Sequence, residues 1–258
     1  MSSQTQTSFL QRPDGEKLAY LHSTPQRQDE SIGITWLGGF KSDMTGTKAT
    51  ALAEWAGSAG RAYTRFDYFG HGQSSGTFTE GTITRWRDDA LAVLDEIATG
   101  PQILVGSSMG AWIALLAALA RPDQIKALVL IAPAPDFTEA LMWEGFDETI
   151  RATLRHEGIY SQPSDYDEPY EISYSLIEDG RKHLLLGGDI PVTLPVRILQ
   201  GMADEDVPWR HAMLLAETLA SEDVTVSLTK NGDHRLSEPD DILRLTETLD
   251  RLLATFRA

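Results

Sequence analysis

The sequence lacks cysteine, and it is poor in basic residues and in long apolar runs. Because none of the 258 residues is a cysteine, disulfide bonds, cysteine metal sites and cysteine nucleophiles are excluded. The 22 Lys and Arg residues are outnumbered by 38 Asp and Glu residues, which gives a formal net charge of -16. Since that charge repels phosphate backbones and anionic lipids, we expect neither a nucleic-acid partner nor a stable membrane association. No apolar run has the length of a bilayer-spanning helix.

The N-terminal segment and the histidine spacing argue against two further classes of protein. Residues 1 to 17 contain no apolar core of a secretory signal, so we expect a cytoplasmic protein. The six histidines show no H-E-x-x-H or comparable spacing, so we expect no metal site. No motif points to an organic cofactor, so we expect none.

Strand and helix patterns alternate along most of the chain. The length of 258 residues suits a single α/β domain spanning residues 1 to 258. Residues 8–11 and 17–21 flank Pro13-Asp14-Gly15, which predicts an antiparallel hairpin. Further strands are predicted at 34–39, 62–66, 102–105, 127–131, 196–199 and 224–228, with helices at 48–59, 83–98, 109–119, 209–219 and from 239 onward. This order predicts a mostly parallel central sheet flanked by helices, with the hairpin at one edge.

The closing helix carries an apolar stripe at intervals of three or four residues. We expect this stripe to face the core. It consists of Ile242, Leu245, Leu249, Leu252 and Phe256.

An insertion of about sixty residues, roughly 133 to 195, follows the sixth predicted strand. It is much longer than an ordinary connection of about two to six residues, and we expect it to form a cap over a site rather than a second domain. Two uses of its apolar side chains stay open: they line a pocket for an acyl chain, or they pack inside the cap. These side chains are Met142, Trp143, Phe146, Tyr160, Tyr166, Tyr170 and Tyr174.

The segment from Gly106 to Gly110 reads G-x-S-x-G with Ser108 at its centre. A predicted strand precedes it and a helical apolar run follows it, which is the context that a nucleophile elbow requires. In such an elbow the central serine is exposed in a strained turn above the sheet. The pattern therefore predicts Ser108, and not Ser107, as a catalytic nucleophile.

A serine nucleophile needs a base oriented by an acid, in the chain order Ser, Asp or Glu, His. His234 follows the last predicted strand and is the candidate base. Asp204, Glu205 and Asp206 follow the strand at 196–199 and are the candidate acids. One of the three could instead cap the helix that starts near Pro208.

Two backbone N–H groups are candidates for an oxyanion hole. Met109 directly follows the nucleophile, and Phe40 follows two glycines after an early strand. The glycine cluster from Asp67 to Gly76 lacks the lysine and the spacing of a P-loop, so we interpret it as a structural loop. His71 lies in this loop and precedes the serine, so we do not assign it as the base.

Taken together, these motifs resemble the α/β-hydrolase fold superfamily along nearly the whole chain. The resemblance implies that Asp204 is the triad acid and that the Phe40 N–H binds the oxyanion. One departure is Gly38, where many members carry histidine. The matching patterns are Gly38-Gly39-Phe40, Asp67-x-x-Gly70-His71-Gly72-x-Ser74, Gly106-x-Ser108-x-Gly110, Gly201-x-x-Asp204-x-x-Val207-Pro208 and Gly232-Asp233-His234.

The segment from Ser164 to Leu186, with GDHRLS after the last strand, is similar to the abhydrolase-domain-containing protein ten group. That group includes palmitoyl-protein thioesterases and acyl-glucuronide esterases. The resemblance implies a serine hydrolase that cleaves a carboxylic ester or acyl-thioester of a small-molecule or acyl-chain substrate. Two alternatives remain: a C–C bond hydrolase or lyase that uses the same triad, and a non-catalytic ligand-binding member of the fold.

Overall fold

The computed structural model describes residues 6–25, 32–162 and 170–256. Its strands are β1 Ser8–Gln11, β2 Lys17–Ser23, β3 Gly33–Leu37, β4 Tyr63–Phe66, β5 Gln102–Ser107, β6 Ile125–Ile131, β7 Ile159–Gln162, β8 Tyr170–Ser173, β9 Val196–Gly201 and β10 Val224–Thr229. Its α-helices are α1 Thr47–Ala59, α2 Ile83–Glu96, α3 Met109–Ala120, α4 Glu148–Glu157, α5 Tyr174–Gly180, α6 Trp209–Thr218 and α7 Pro239–Ala254.

Eight of these strands form one sheet in the order β1-β2-β4-β3-β5-β6-β9-β10. β2 pairs antiparallel with both β1 and β4, and the remaining pairs are parallel. The β1–β2 turn places Gly15 at φ +92°, a conformation that glycine adopts without steric cost. The predicted α/β-hydrolase fold, with a mostly parallel sheet and an antiparallel N-terminal edge, is confirmed.

Both faces of the sheet are covered, as a parallel sheet requires. In β5, Leu104 packs into a core shared with α2, α3 and α6, whereas Ile103 and Val105 pack into a core on the opposite face with α1 and α7. The carboxyl ends of β5, β9 and β10 therefore meet at one edge of a rigid, doubly covered sheet.

The predicted stripe of α7 is correct for three of its five members. Leu245, Leu249 and Leu252 are buried, and Ile242 is partly buried. Phe256 was wrongly placed in the core, since its side chain is 39% exposed. The physical reason is that α7 ends at Ala254, so the helical spacing that would bring Phe256 back to the core stops before it.

The segment between β6 and β9 has its own short elements. A π-helical turn over Thr138–Trp143 precedes α4, the β7–β8 hairpin and α5. These elements enclose a small cluster of Trp143, Leu154, Ile172 and Ile177.

Two buried carboxylates hold this segment together, and one of them also joins it to the sheet domain. Asp179 accepts the Thr84 N–H of α2 at 2.7 Å and the Thr84 hydroxyl at 2.8 Å. Asp136, just after β6, accepts the N–H groups of Leu185 and Leu186, each at 2.8 Å. Asp179 therefore joins the segment to α2, whereas Asp136 joins the first part of the segment to its last part.

Within the described ranges, no helix is long and apolar enough to cross a membrane.

Candidate active site

Ser108 occupies the sharp turn between β5 and α3, with φ 53° and ψ -117°. A Cβ atom at Gly106 would lie 2.4 Å from the Gly110 carbonyl oxygen, and one at Gly110 would lie 2.1 Å from the Leu37 carbonyl oxygen. Both distances are far inside van der Waals contact, so only glycine fits at either position. The G-x-S-x-G spacing is thus explained by the packing of the turn against β3, and the strained serine is half-buried and lines a cavity.

Gly110→Ala is expected to lower the free energy of unfolding by about 2 to 3 kcal/mol or more, because the methyl group meets backbone that cannot move without displacing β3. Gly57→Ala is the matched control, since Gly57 lies in α1 with no atom within 4 Å of the added methyl group. The control should be neutral or slightly stabilising. Urea denaturation followed by circular dichroism measures both, and equal stability of the two variants would contradict this explanation of the motif.

The structure brings Ser108, His234 and Asp204 into one hydrogen-bonded row. His234 Nε2 lies 3.1 Å from Ser108 Oγ, and His234 Nδ1 lies 2.9 Å from Asp204 Oδ2. These contacts join residues that are 126 and 30 positions apart in the sequence. The row has the arrangement in which an imidazole removes a proton from a serine hydroxyl while a carboxylate orients the ring.

Asp204, rather than Asp206, makes the hydrogen bond to His234. The Asp204 side chain is fully buried, and its other oxygen accepts the N–H groups of Asp206 at 3.0 Å and Val207 at 2.8 Å. Gln200 Nε2 donates to Oδ2 at 3.0 Å. No side chain caps the N-terminus of α6, so the alternative in which an acid of this loop caps that helix does not describe the structure.

Lys48 of α1 braces the loop that carries His234. Its ammonium group donates to the Arg235 carbonyl oxygen and, at 3.2 Å, to Ser237 Oγ. Burial lowers the pKa of Lys48 to about 8, because the charged form loses hydration there. This contact was not predictable from sequence patterns, because α1 and the histidine loop are almost 190 residues apart.

The two predicted oxyanion donors lie beside the serine. A Cβ atom at Gly39 would be 3.5 Å from Ser108 Cβ, so the absence of a side chain lets the backbone before Phe40 approach the elbow. Met109 is the first residue of α3. Among the described residues, the N–H groups of Phe40 and Met109 have no hydrogen-bond acceptor, which leaves both available to an oxygen atom of a ligand.

A cavity of about 1030 Å³ includes Ser108 in its lining, and both polar and apolar side chains line it. Its polar lining includes Lys41, Lys48, Arg235, Glu205 and Asp206. Its apolar lining is formed by Phe40, Phe78, Phe137, Leu141, Met142, Phe146 and Tyr170.

The apolar residues of the insertion divide between the cavity and the small cluster. Met142, Phe146 and Tyr170 line the cavity, whereas Trp143, Tyr160 and Tyr174 pack within or against the small cluster of the insertion. Tyr166 lies outside the described residues.

One carboxylate-histidine group has the spacing of metal ligands. Ligand atoms of Asp204, Asp206 and His234 lie within 4.8 Å of one another. Asp204 and the His234 ring form hydrogen bonds with each other and with Gln200 and Ser108.

Comparison with known proteins places this geometry in context. The family described as "Serine aminopeptidase, S33" matches residues 40–157. The human mitochondrial palmitoyl-protein thioesterase ABHD10 is 43% identical over 251 residues, which cover 96% of this chain and 80% of the relative.

Two solved structures are also similar over nearly their whole length. A putative hydrolase from Agrobacterium vitis S4 has 44% identity and a TM-score of 0.92, covering 96% of this chain and 98% of that one. The mouse alpha/beta hydrolase domain-containing protein 10 has 40% identity and a TM-score of 0.88, covering 97% and 99%.

Proposed function

This chain belongs to the family of α/β-hydrolases that includes the mitochondrial palmitoyl-protein thioesterase ABHD10, and on that premise we propose that it is a serine hydrolase of carboxylic esters or thioesters. The observation that carries the proposal is the row in which His234 Nε2 lies 3.1 Å from Ser108 Oγ and Nδ1 lies 2.9 Å from Asp204. The substrate is a small molecule or an acyl chain bound in the cavity above Ser108.

In the proposed first half-reaction, Ser108 Oγ attacks the carbonyl carbon while His234 Nε2 takes the hydroxyl proton. The carbonyl oxygen becomes an oxyanion, which the N–H groups of Phe40 and Met109 stabilise. When the tetrahedral intermediate collapses, the bond to the alcohol or thiol breaks and His234 donates its proton to that leaving group. The acyl group remains covalently bound to Ser108.

In the second half-reaction, a water molecule takes the place of the leaving group. His234 removes its proton, hydroxide adds to the acyl carbon, and the carboxylic acid leaves as the proton returns to Ser108 Oγ. Asp204 accepts the His234 Nδ1–H and stabilises the imidazolium form of the ring. Neither half-reaction draws on a metal or an organic cofactor.

The apolar lining of the cavity supports binding of an acyl chain. Phe137, Leu141 and Met142 line the cavity together with other aromatic side chains, and such surfaces bind alkyl groups by removing them from water. We propose that the insertion, residues 133 to 195, acts as the cap over this cavity within a single domain. The cytoplasmic location stays a prediction, and the ABHD10 relatives are named as mitochondrial proteins.

A series of p-nitrophenyl esters of increasing chain length, with one acyl-thioester, tests the proposal. Each buried methylene contributes at most about 0.8 kcal/mol, so we expect kcat/KM to rise about two- to fourfold per methylene until the cavity is filled. Ser108→Ala is the control for background hydrolysis. If no ester or thioester is cleaved, the proposal is wrong. Hydrolysis of a diketone to a carboxylic acid and a ketone, without ester cleavage, would instead favour the C–C bond hydrolase.

A further inference from the structure

His71 is a buried histidine that the proposed triad does not use. It lies in the loop from Asp67 to Gly76, its side chain is only 4% exposed, and its ring packs edge-on against Phe78 and Trp86 with centroids 5.2 and 5.3 Å away. Burial lowers the pKa of His71 to about 4, because the imidazolium ion would lose its hydration. At neutral pH the ring is therefore uncharged, with one protonated nitrogen and one lone pair.

The neighbours of the His71 ring decide which nitrogen carries the proton. Nδ1 lies 3.1 Å from the Phe69 carbonyl oxygen, and that oxygen also accepts the Trp86 indole N–H at 3.1 Å. Because a carbonyl oxygen can only accept, Nδ1 must be the donor. Nε2 then carries the lone pair, and it accepts the backbone N–H of Lys41 at 3.3 Å.

Lys41 directly follows Phe40, whose N–H we assign to the oxyanion hole. The Lys41 φ of 57° lies in the left-handed region. This conformation costs a non-glycine residue free energy, so contacts with its surroundings must hold it there. A second contact fixes the same loop three residues later, where Asp67 Oδ1 accepts the Met44 N–H at 2.6 Å. The Asp67–Gly76 loop thus holds the Phe40–Met44 segment at two points.

We propose that His71 is a positioning residue for the oxyanion hole: by accepting the Lys41 N–H through Nε2, it fixes the peptide geometry that aims the Phe40 N–H at the reacting oxygen. This inference rests on the proposed serine-hydrolase function. It gives the histidine of the glycine-rich loop a role in the same reaction, which it exerts through the Lys41 N–H rather than on the reacting atoms.

His71→Phe and His71→Gln separate positioning from packing. Phenylalanine keeps a ring among Phe78 and Trp86 but offers no acceptor, whereas the glutamine Oε1 can replace Nε2 as the acceptor. Displacing a catalytic group by about 1 Å can cost about 10²-fold in rate, and loss of an oxyanion donor costs about 10² to 10³. We therefore expect His71→Phe to lower kcat about 10- to 100-fold with KM within about threefold, and His71→Gln to keep kcat within about threefold of wild type.

The readouts are chosen so that a merely structural role would not move them. The rate is expressed per active site titrated with a fluorophosphonate, so that an unfolded fraction does not count. An acyl trifluoromethyl ketone, which forms a tetrahedral oxyanion on the serine, should bind His71→Phe more weakly by about the same factor as kcat falls. His71→Gln should restore that affinity. Unchanged kcat per site and unchanged ketone affinity in His71→Phe would overturn the inference.

Failure of this inference is distinguishable from failure of the proposed function. If the wild-type protein cleaves no ester or thioester, the proposed function is wrong. If the wild-type protein is active but His71→Phe does not fold, two other measurements test the inference. They are ¹⁵N NMR of the wild-type protein with ¹⁵N-labelled histidine, and the activity of His71→Gln. A protonated Nδ1 and a bare Nε2 at pH 7, with an active glutamine variant, support the inference. A protonated Nε2, or a folded glutamine variant below about a tenth of wild-type kcat, overturns it.

Discussion

Replacing Ser108 with alanine is expected to lower kcat/KM for any ester or thioester that the wild-type protein cleaves by about 10⁴-fold or more. Without Oγ no covalent acyl-enzyme can form, and only the oxyanion donors and the bound substrate remain to assist attack by water. The fold should be retained, because the side chain makes no helix-capping hydrogen bond and alanine adds no atoms to the turn. Initial rates with purified protein, and a thermal unfolding curve for each variant, measure the effect.

Ser107→Ala is the matched control for Ser108→Ala. Ser107 is adjacent in sequence and buried at the end of β5, and no hydrogen bond joins its side chain to His234 among the described residues. We expect its activity to stay within about tenfold of wild type. A large loss of activity in Ser107→Ala, together with near wild-type activity in Ser108→Ala, would show that Ser107 and not Ser108 is the nucleophile.

Asp204→Asn is expected to lower kcat by about 10³- to 10⁴-fold. The asparagine amide cannot balance the positive charge that His234 gains when it takes the serine proton, and it favours the tautomer in which Nε2, facing Ser108, is already protonated. In the wild-type protein Gln200 Nε2 donates to Asp204 Oδ2 at 3.0 Å. An asparagine NH₂ group at that position could not accept this hydrogen bond. The measurement is kcat for the best ester of the series, with the protein shown to be folded.

Asp206→Asn is the control that separates the two acids of this loop. Asp206 is exposed and its N–H donates to Asp204, so removing its charge leaves the row of Ser108, His234 and Asp204 intact. We expect kcat to change by less than about tenfold. A profile in which Asp206→Asn is the damaging change would transfer the role of the triad acid to Asp206.

The parts of the site that the sequence predicted are those with a local pattern. The elbow was predictable because Gly106 and Gly110 are required by contacts within a few residues of Ser108 and with the neighbouring strand. The sheet was predictable because strand and helix patterns alternate. His234 was a candidate because it follows the last strand, and the carboxyl ends of parallel strands meet at one edge.

The parts that the sequence did not predict depend on contacts between distant segments. Gln200, which holds Asp204, sits among strand residues and has no distinguishing pattern. Lys48 meets the histidine loop almost 190 residues away, and His71 was set aside as a base without its contact to Lys41 being foreseen. Alternation also did not show that Phe256 lies beyond the end of α7, because periodicity predicts a face but not where a helix stops.

The most direct test of the proposed mechanism is covalent labelling of the wild-type protein with a fluorophosphonate, followed by peptide mass spectrometry. The mechanism predicts one label per chain, attached to Ser108 and not to Ser107, with labelling slowed by a competing acyl ester and lost in Ser108→Ala. A protein that cleaves esters while its label lies on another residue, or while Ser108→Ala is labelled as fast as wild type, would contradict it.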